Sequence, residues 1–301
     1  MTSVADANGL AGDASPANLQ LRVFTCPSQP IGTSGRTFSP TTATLIYGKS
    51  EAVLVDALYM KDDVKALGDL IERTGEKLTT IFITHGHGDH YFGSDELVRR
   101  FPGVKTVATH DVVEYMKSTH SSDVKWFQAL FGDSTMVTPS SIPEALMGDV
   151  IMLEGNQLRV VPVRQGDIHP TTVLHVPVLG AVIAGDVAYN NIHQMLGMSS
   201  PTEWDAWIES LDAIERLQPT VVVAGHKKAD APDDAASVIN GTRQYIRDFK
   251  ALASQHDTVE DFVTAMRSKY PNHGNVTTLM FSANAYYKTR AEGNEEPSAA
   301  S

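Results

Sequence analysis

The chain carries one cysteine, Cys26, in 301 residues. No disulfide can form within it, and a reducing compartment is the natural expectation. Cys26 stands far in sequence from the histidine-rich stretch described below, so it reads as a structural thiol rather than a nucleophile. Long apolar runs are missing too: nothing approaches the roughly 18 residues that a membrane-spanning helix needs. The first residues, MTSVADANGLAGDASPANLQ, hold neither the basic start and apolar run of a secretory signal nor the arginines of a mitochondrial presequence. A cytoplasmic protein is expected. Positive charge is scarce as well. With 24 Lys and Arg against 36 Asp and Glu the formal net charge is −12, which argues against nucleic acid or an anionic membrane as the partner. There is no Gly-x-Ser-x-Gly elbow and no phosphate-cradling glycine loop. What remains, 42% hydrophobic and 20% charged, is the composition of an ordinary folded protein long enough to bury a core.

The two ends read as tails. Residues 1–18 are small and polar, residues 289–301 polar and acidic, and both are expected to be flexible. Residues 19–288 show no internal repeat or low-complexity linker and are expected to form one domain. TTATLIYG and EAVLVDAL are β-branched runs parted by a short polar turn, which predicts a hairpin. KDDVKALGDLIERTG sets Val64, Leu67, Leu70 and Ile71 on one helical face and ends on Gly75. LTTIFIT reads as a buried strand, GSDELVRRF as a helix capped by Ser94, and VKTVAT as the next strand. Residues 118–147 read as polar turns around an apolar patch of Trp126, Phe127, Leu130 and Phe131. Strands resume with DVIMLEG, QLRVVPV, TTVLHVPV and GAVIAGD. A helix with Trp204, Trp207, Ile208 and Leu211 on one face precedes TVVVAG, and two long helices, near 232–254 and 257–270, close the chain. Strand sets followed by helices in both halves predict two packed sheets with helices outside.

ITHGHGDHYFGSDEL gathers His85, His87, Asp89 and His90 into six residues. His85 and His87 alternate at the end of an apolar strand, so both imidazoles point to one side and can meet one metal. Asp89 and His90 fall where the chain turns towards a helix and can face a neighbouring position. Two later apolar strands end in the same way, AVIAGDVAYN offering Asp186 and TVVVAGHKK offering His226. Imidazoles and carboxylates at three strand ends make a metal site on sheet edges the economical reading. His110, His120, His256 and His273 have no such neighbours, and His175 lies inside a strand; these read as structural or surface histidines.

HGHGDH, AGD and AGH together resemble the metallo-β-lactamase superfamily over about residues 20–270, standing for its His-x-His-x-Asp-His signature, its bridging aspartate and its final histidine. The resemblance implies an αβ/βα four-layer sandwich with the metal site at one edge of the packed sheets. It implies that His85 and His87 serve a first metal, Asp89, His90 and His226 a second, and that Asp186 bridges them. Asp56 in VLVDAL matches the family's aspartate that braces the metal loop from behind. The family supplies a further histidine to the first metal, from a Gly-His motif before the strand TTVLHVP. Here VRQGDIHPTTVLHVP places Gln165 there, and a neutral amide is a weak ligand beside imidazole. Three outcomes are open: His169 swings in, Asp167 supplies a carboxylate, or the first position binds weakly. The favoured expectation is one zinc held strongly by Asp89, His90, Asp186 and His226, and a second that is weak or partial; manganese, iron or cobalt would suit such ligands too.

Hydrolysis is the chemistry the resemblance implies. A zinc-bound hydroxide would attack a polarised carbonyl, with Asp89 as the catalytic group that orients water or passes a proton to the leaving group. Tyr189, Asn190 and His193, just past Asp186, and Trp126 are candidates for the substrate pocket. The context of RQGDIHPTTVLHVP is similar to cytosolic members that detoxify small molecules, including fungal lactam-opening enzymes acting on benzoxazolinone-like compounds. A small cyclic amide, carbamate or ester is therefore the expected substrate. The alternatives are a hydrolytic dehalogenase of an activated aromatic, a thioesterase-like hydrolase, and a binding protein of the same fold without catalysis. The expected partner is that small molecule, with a homo-oligomer compatible with the sequence.

Overall fold

Alternation along the strands decides which layer each side chain serves. The computed structural model describes residues 18–294. Its first half forms β1 (Gln20–Thr25), a short ribbon of β2 (Gln29–Pro30) and β3 (Thr37–Phe38), then β4 (Thr42–Tyr47), β5 (Glu51–Val55), β6 (Lys77–Phe82), β7 (Lys105–Ala108) and β8 (Glu144–Ala145). The second half forms β9 (Val150–Leu153), β10 (Asn156–Val163), β11 (Thr171–Val176), β12 (Ala181–Asn190) and β13 (Val221–Lys227). One sheet runs β1-β4-β5-β6-β7-β8 and the other β13-β12-β11-β10-β9. β4 and β5 form the antiparallel hairpin expected, pairing Thr44 with Val55 and Tyr47 with Ala52. β13 joins β12 in parallel.

On β4 and β5, Ile46, Val53 and Val55 face the other sheet and pack against Leu158, Val160, Leu174, Ile183 and Val223. Their neighbours Leu45, Tyr47, Ala52 and Leu54 face the opposite way, onto α1 (Lys61–Glu72), α2 (Gly88–Tyr91), α3 (Ser94–Arg100) and α4 (His110–Phe131). The far face of the second sheet, with Val182, Ala184 and Val222, packs on α5 (Pro201–Arg216), α6 (Ala235–Gln255), α7 (Val259–Lys269) and α8 (Val276–Asn294). Three cores between four layers make the αβ/βα sandwich. Successive residues point to opposite faces of a strand, so one hairpin feeds two cores.

Four expectations change. Ser94 does not cap α3: Gly93 occupies that position, and the Ser94 hydroxyl donates back to Tyr91 O at 2.7 Å. The chain passes from α2 into α3 with only Phe92 and Gly93 between them, so the hydroxyl is used behind it. Residues 118–131, read as turns, belong to the 22-residue helix α4. Its polar run is accommodated because the Ser118 and Ser122 hydroxyls bond carbonyls three residues back, while Val112, Val113, Met116 and Phe127 are buried. α8 is a third closing helix, absent from the sequence reading, and it carries the chain through residues 289–294 that were read as tail. The remaining tail residues, 1–17 and 295–301, lie outside the described residues. Among the described residues no helix is long and apolar enough to cross a membrane.

Candidate metal centre

The strand ends of β6, β12 and β13 meet where the two sheets touch. Thr172 N donates to Thr84 O at 3.0 Å, and the Thr42 hydroxyl donates to Ala224 O at 2.8 Å, so these contacts tie the sheet edges around the site. Close approach needs glycine at two points. Gly185 takes a left-handed φ of 49° in AGD, and a Cβ on Gly225 in AGH would run into Asp186 Oδ1 and the Gly185 carbonyl.

Two ligand groups result. Asp89, His90 and His226 form one, and His85, His87, Asp167 and Asp186 the other; within each group the donor atoms lie within 4.8 Å of one another. Asp186 reaches both, with Oδ1 3.1 Å from His90 Nε2 and Oδ2 3.0 Å from His226 Nε2 and 3.8 Å from His85 Nε2. Asp89 Oδ2 lies 3.5 Å from both His90 Nε2 and His226 Nε2. His87 Nδ1 lies 2.9 Å from Asp167 Oδ2 and 3.3 Å from His85 Nε2.

Partners behind the imidazoles aim them. Asp56, buried and at a left-handed φ of 60°, accepts from Thr84 N and from the Thr84 hydroxyl, and its Oδ2 sits 2.8 Å from His90 Nδ1. The Thr84 hydroxyl proton is thus committed to Asp56, so its oxygen accepts from His85 Nδ1 at 3.0 Å. His226 Nδ1 donates to Pro40 O at 2.9 Å. In all three rings the outer nitrogen holds a proton against an acceptor, which turns the Nε2 lone pair inward as a metal ligand requires. Thr41 donates its hydroxyl to Asp89 Oδ2 at 2.9 Å and fixes that carboxylate.

A family model described as the metallo-beta-lactamase superfamily matches residues 36–226, more than half of the chain. The chain belongs to that superfamily. Similar solved structures include a metallo-beta-lactamase family protein from Thermus thermophilus, 19% identical, TM-score 0.61, covering 91% of this chain and 94% of that one. A beta-lactamase domain protein from Burkholderia ambifaria is 15% identical with TM-score 0.59, covering 91% and 86%. Among curated relatives, a protein named hydroxyacylglutathione hydrolase from Francisella tularensis subsp. novicida is 39% identical over 64 residues, 21% of this chain. The matched part is about a quarter of that relative's length, 24%. At these identities the solved structures show a shared fold.

The donor set of this metallo-beta-lactamase superfamily member fits metal ions. His90 Nε2 and Asp186 Oδ1 are buried without a hydrogen-bond partner, although they face each other at 3.1 Å. Two such atoms held together away from water call for a shared cation. Charge tells the same story. Burial favours neutral imidazoles, but Asp186, Asp89 and Asp56 outweigh it at His90 and raise its pKa well above normal. At His87, burial is likewise outweighed by Asp167, and its pKa rises to about 9. Burial pushes Asp167 up to about 6 despite His87. His85 is held neutral by burial and by the charge on His90. The buried carboxylates thus demand positive charge, and a bound divalent cation meets the demand that protons on imidazole otherwise meet.

Of the three stand-ins for the missing histidine, Asp167 is the one in the cluster. Gln165 is buried, its backbone N–H bonds Ser210 Oγ at 2.9 Å, and it does not line the cavity over the cluster. His169 is exposed and belongs to neither ligand group. Gly166-Asp167, with its aspartate two residues beyond Gln165, brings a carboxylate to His85 and His87. Asp167 is locked by its Oδ1 accepting from Ile168 N at 2.8 Å, which leaves Oδ2 for His87. The first position thus has a carboxylate of its own beside two imidazoles.

A cavity of about 810 Å³ opens over the cluster, with His87, Asp89, Asp167, Asp186 and His226 on its lining. Tyr189 and Trp126 line it as expected. Asn190 and His193 do not. The Asn190 amide donates to Pro232 O at 2.8 Å, and His193 is buried against the Tyr245 hydroxyl at 2.9 Å, because the chain beyond Tyr189 turns into the helical layer. The sequence reading missed Thr41, Pro40 and Thr84 as supports. Thr84 adjoins His85 and was findable; Thr41 and Pro40 come from a distant loop with no local signal. Cys26 is buried and accepts from Thr41 N at 3.1 Å. Burial pushes its thiol up to about 12, so it is inert.

Proposed function

We propose that the protein is a metal-dependent hydrolase that opens a small, uncharged cyclic amide, carbamate or ester, with zinc as the natural metal. The observation that carries this reading is the convergence of three outward-locked imidazoles on carboxylates at the floor of an open cavity. His85, His87, Asp167 and Asp186 would hold one metal; Asp89, His90, His226 and Asp186 would hold the other. Both positions then have two imidazoles, one carboxylate of their own and one shared, which supports a metal at each. Bound there, the metals supply an acidified water and a Lewis acid for the carbonyl.

The chain's own residues supply the rest. The Tyr189 hydroxyl donates to Asp186 Oδ2 at 3.0 Å on the cavity floor. Burial and the nearby carboxylates raise its pKa well above normal, so it keeps its proton on Asp186 and holds that shared carboxylate in place. Asp89 lines the cavity and is steadied by Thr41, which suits it to take a proton and hand it to the leaving nitrogen or oxygen.

A thioester bearing carboxylates, such as a glutathione conjugate, is the weaker reading. Arg36 is the one arginine or lysine among the residues lining the cavity, which leaves little to meet two anionic groups. The test is metal content of the purified chain by mass spectrometry, with a panel of neutral lactams, lactones, carbamates and thioesters. Two metals per chain and ring opening that a chelator abolishes are expected. A chain that binds no divalent metal would sink the proposal.

A further inference from the structure

The cavity is far larger than a small ring requires, and its walls are apolar. Helix α4 contributes Trp126, Phe127 and Leu130, the loop before α5 Met195 and Met198, and α8 Met280 and Phe281. Eight large hydrophobic side chains stand out as exposed among the described residues, and four of them rim this cavity: Trp126 at 46%, Met198 at 48%, and Met280 and Phe281 each at 43%. Exposed apolar surface concentrated at one mouth, with polar ligands at the floor, marks a binding surface.

The collar is also braced. Phe38 on β3 packs against Trp126 at 6.3 Å, Phe127 at 5.7 Å and Phe131 at 5.6 Å between ring centroids. From the same ribbon, Thr37 N donates to the Thr277 hydroxyl oxygen on α8 at 3.2 Å. Helix α4, the ribbon and α8 are thus tied around one opening. Methionines adapt to varied apolar shapes, whereas the aromatic rings give a fixed wall.

We propose that the cavity takes a substrate whose hydrolysable bond is carried on an extended alkyl or aryl body, and that the collar of Trp126, Met198, Met280 and Phe281 sets specificity by the length of that body. The proposal rests on the hydrolase reading for the bond at the floor, while binding of the apolar body stands apart from it. Each methylene taken from water into the collar tightens binding roughly three- to fourfold until the cavity is filled.

Trp126 provides the readout. Trp204 and Trp207 are buried in the helical layer and do not line the cavity, so Trp126 is the tryptophan that a ligand at the collar touches. The full chain, loaded with zinc, is titrated with γ-lactones whose side chain grows from methyl to octyl, and fluorescence and ring opening are followed together. Affinity and kcat/KM are expected to climb with chain length, and the fluorescence change to vanish in Trp126→Phe. In Phe281→Ser and Met198→Ser the ratio of longest to shortest substrate should fall by about tenfold, a loss comparable to two methylenes. Because the ratio is taken within each variant, partial loss of folded protein does not alter it. A flat series, or a ratio that both variants leave intact, would overturn the proposal. So would a Trp126 signal that follows protein concentration instead of ligand, since the collar would then be a face between two copies. Tighter binding of longer chains with no ring opening would uphold the collar and refute the hydrolase reading.

Discussion

The two ligand groups are built from like residues but held unlike. Around Asp89, His90 and His226 every ligand has a partner behind it: Thr41 on Asp89, Asp56 on His90 and the Pro40 carbonyl on His226. All three side chains are almost wholly buried. In the other group His85 is braced by Thr84, but His87 leans on Asp167 within the group and its side chain is 19% exposed at the cavity wall. Equal donor sets do not make equal sites. A ligand aimed by an outer hydrogen bond has lost its orientational freedom before metal arrives, and one without such a partner loses it on binding. The difference marks the His87 side as the more accommodating half, open to the cavity where a substrate enters.

The largest effect should come from removing what the halves share. Asp186→Ala takes a carboxylate from both groups, and metal content is expected to fall below one per chain, with hydrolysis at background; two retained metals would refute the bridging role. Gly225→Ala should act in the same direction, since its Cβ would displace Asp186.

Asp167→Ala separates the halves. One metal per chain should survive it, whereas Gln165→Ala should keep both. The reverse pattern in a metal assay would restore Gln165 as the ligand and remove Asp167 from the first group.

Asp56→Asn sharpens the contrast in support. The variant loses the anion behind His90 and weakens the Thr84 brace on His85, so metal affinity should drop about 10- to 100-fold. Competition with a coloured chelator would measure it. An unchanged affinity would mean that packing, not Asp56, aims these rings.

The smallest effect isolates a pH response that belongs to neither group. Burial, with the charge of His273 and Arg267, lowers the His193 pKa from 6.5 to about 3. The folded chain therefore refuses a proton that the unfolded chain accepts below 6.5. Its share of stability is intact above that pH and drains away as pH falls towards about 3. By pH ~5 the loss should reach about 2 kcal/mol. Urea denaturation of His193→Gln should show a shallower decline with acid than the natural chain; parallel curves would assign the whole response to other groups, the metal centre included.

Much of the fold was legible because strands repeat every two residues and α1 and α5 keep clean apolar stripes. Ile46 and Leu45 announce two faces wherever the strand sits. α4 was hidden because its Ser, Thr and His residues look like turn chemistry, although the Ser118 and Ser122 hydroxyls bond carbonyls within the helix. α8 was hidden because it serves two apolar surroundings, burying Leu279 and Ala283 while Met280 and Phe281 face the cavity mouth. Its apolar residues therefore do not gather on one stripe. At the site, His85, His87, Asp89, His90, Asp186 and His226 were all found from strand-end motifs, and the structure brings them together. Closeness in sequence to Asp186 was the ground for placing Asn190 and His193 in the pocket, a poor guide at the last residue of β12 and beyond it.

The sequence by itself determined the types of ligand, the strands that present them and the faces those strands bury, because each depends on spacing over a few residues. Only the tertiary structure showed that Asp167 lies with His85, His87 and Asp186, since the course of the turn before β11 sets which side chain points inward. It alone brought Thr41 and Pro40 behind Asp89 and His226, and gathered α4, α8 and the β2–β3 ribbon into one collar. Those contacts join segments far apart in the chain. No local pattern encodes them, because the energy that holds them comes from burying whole layers against one another.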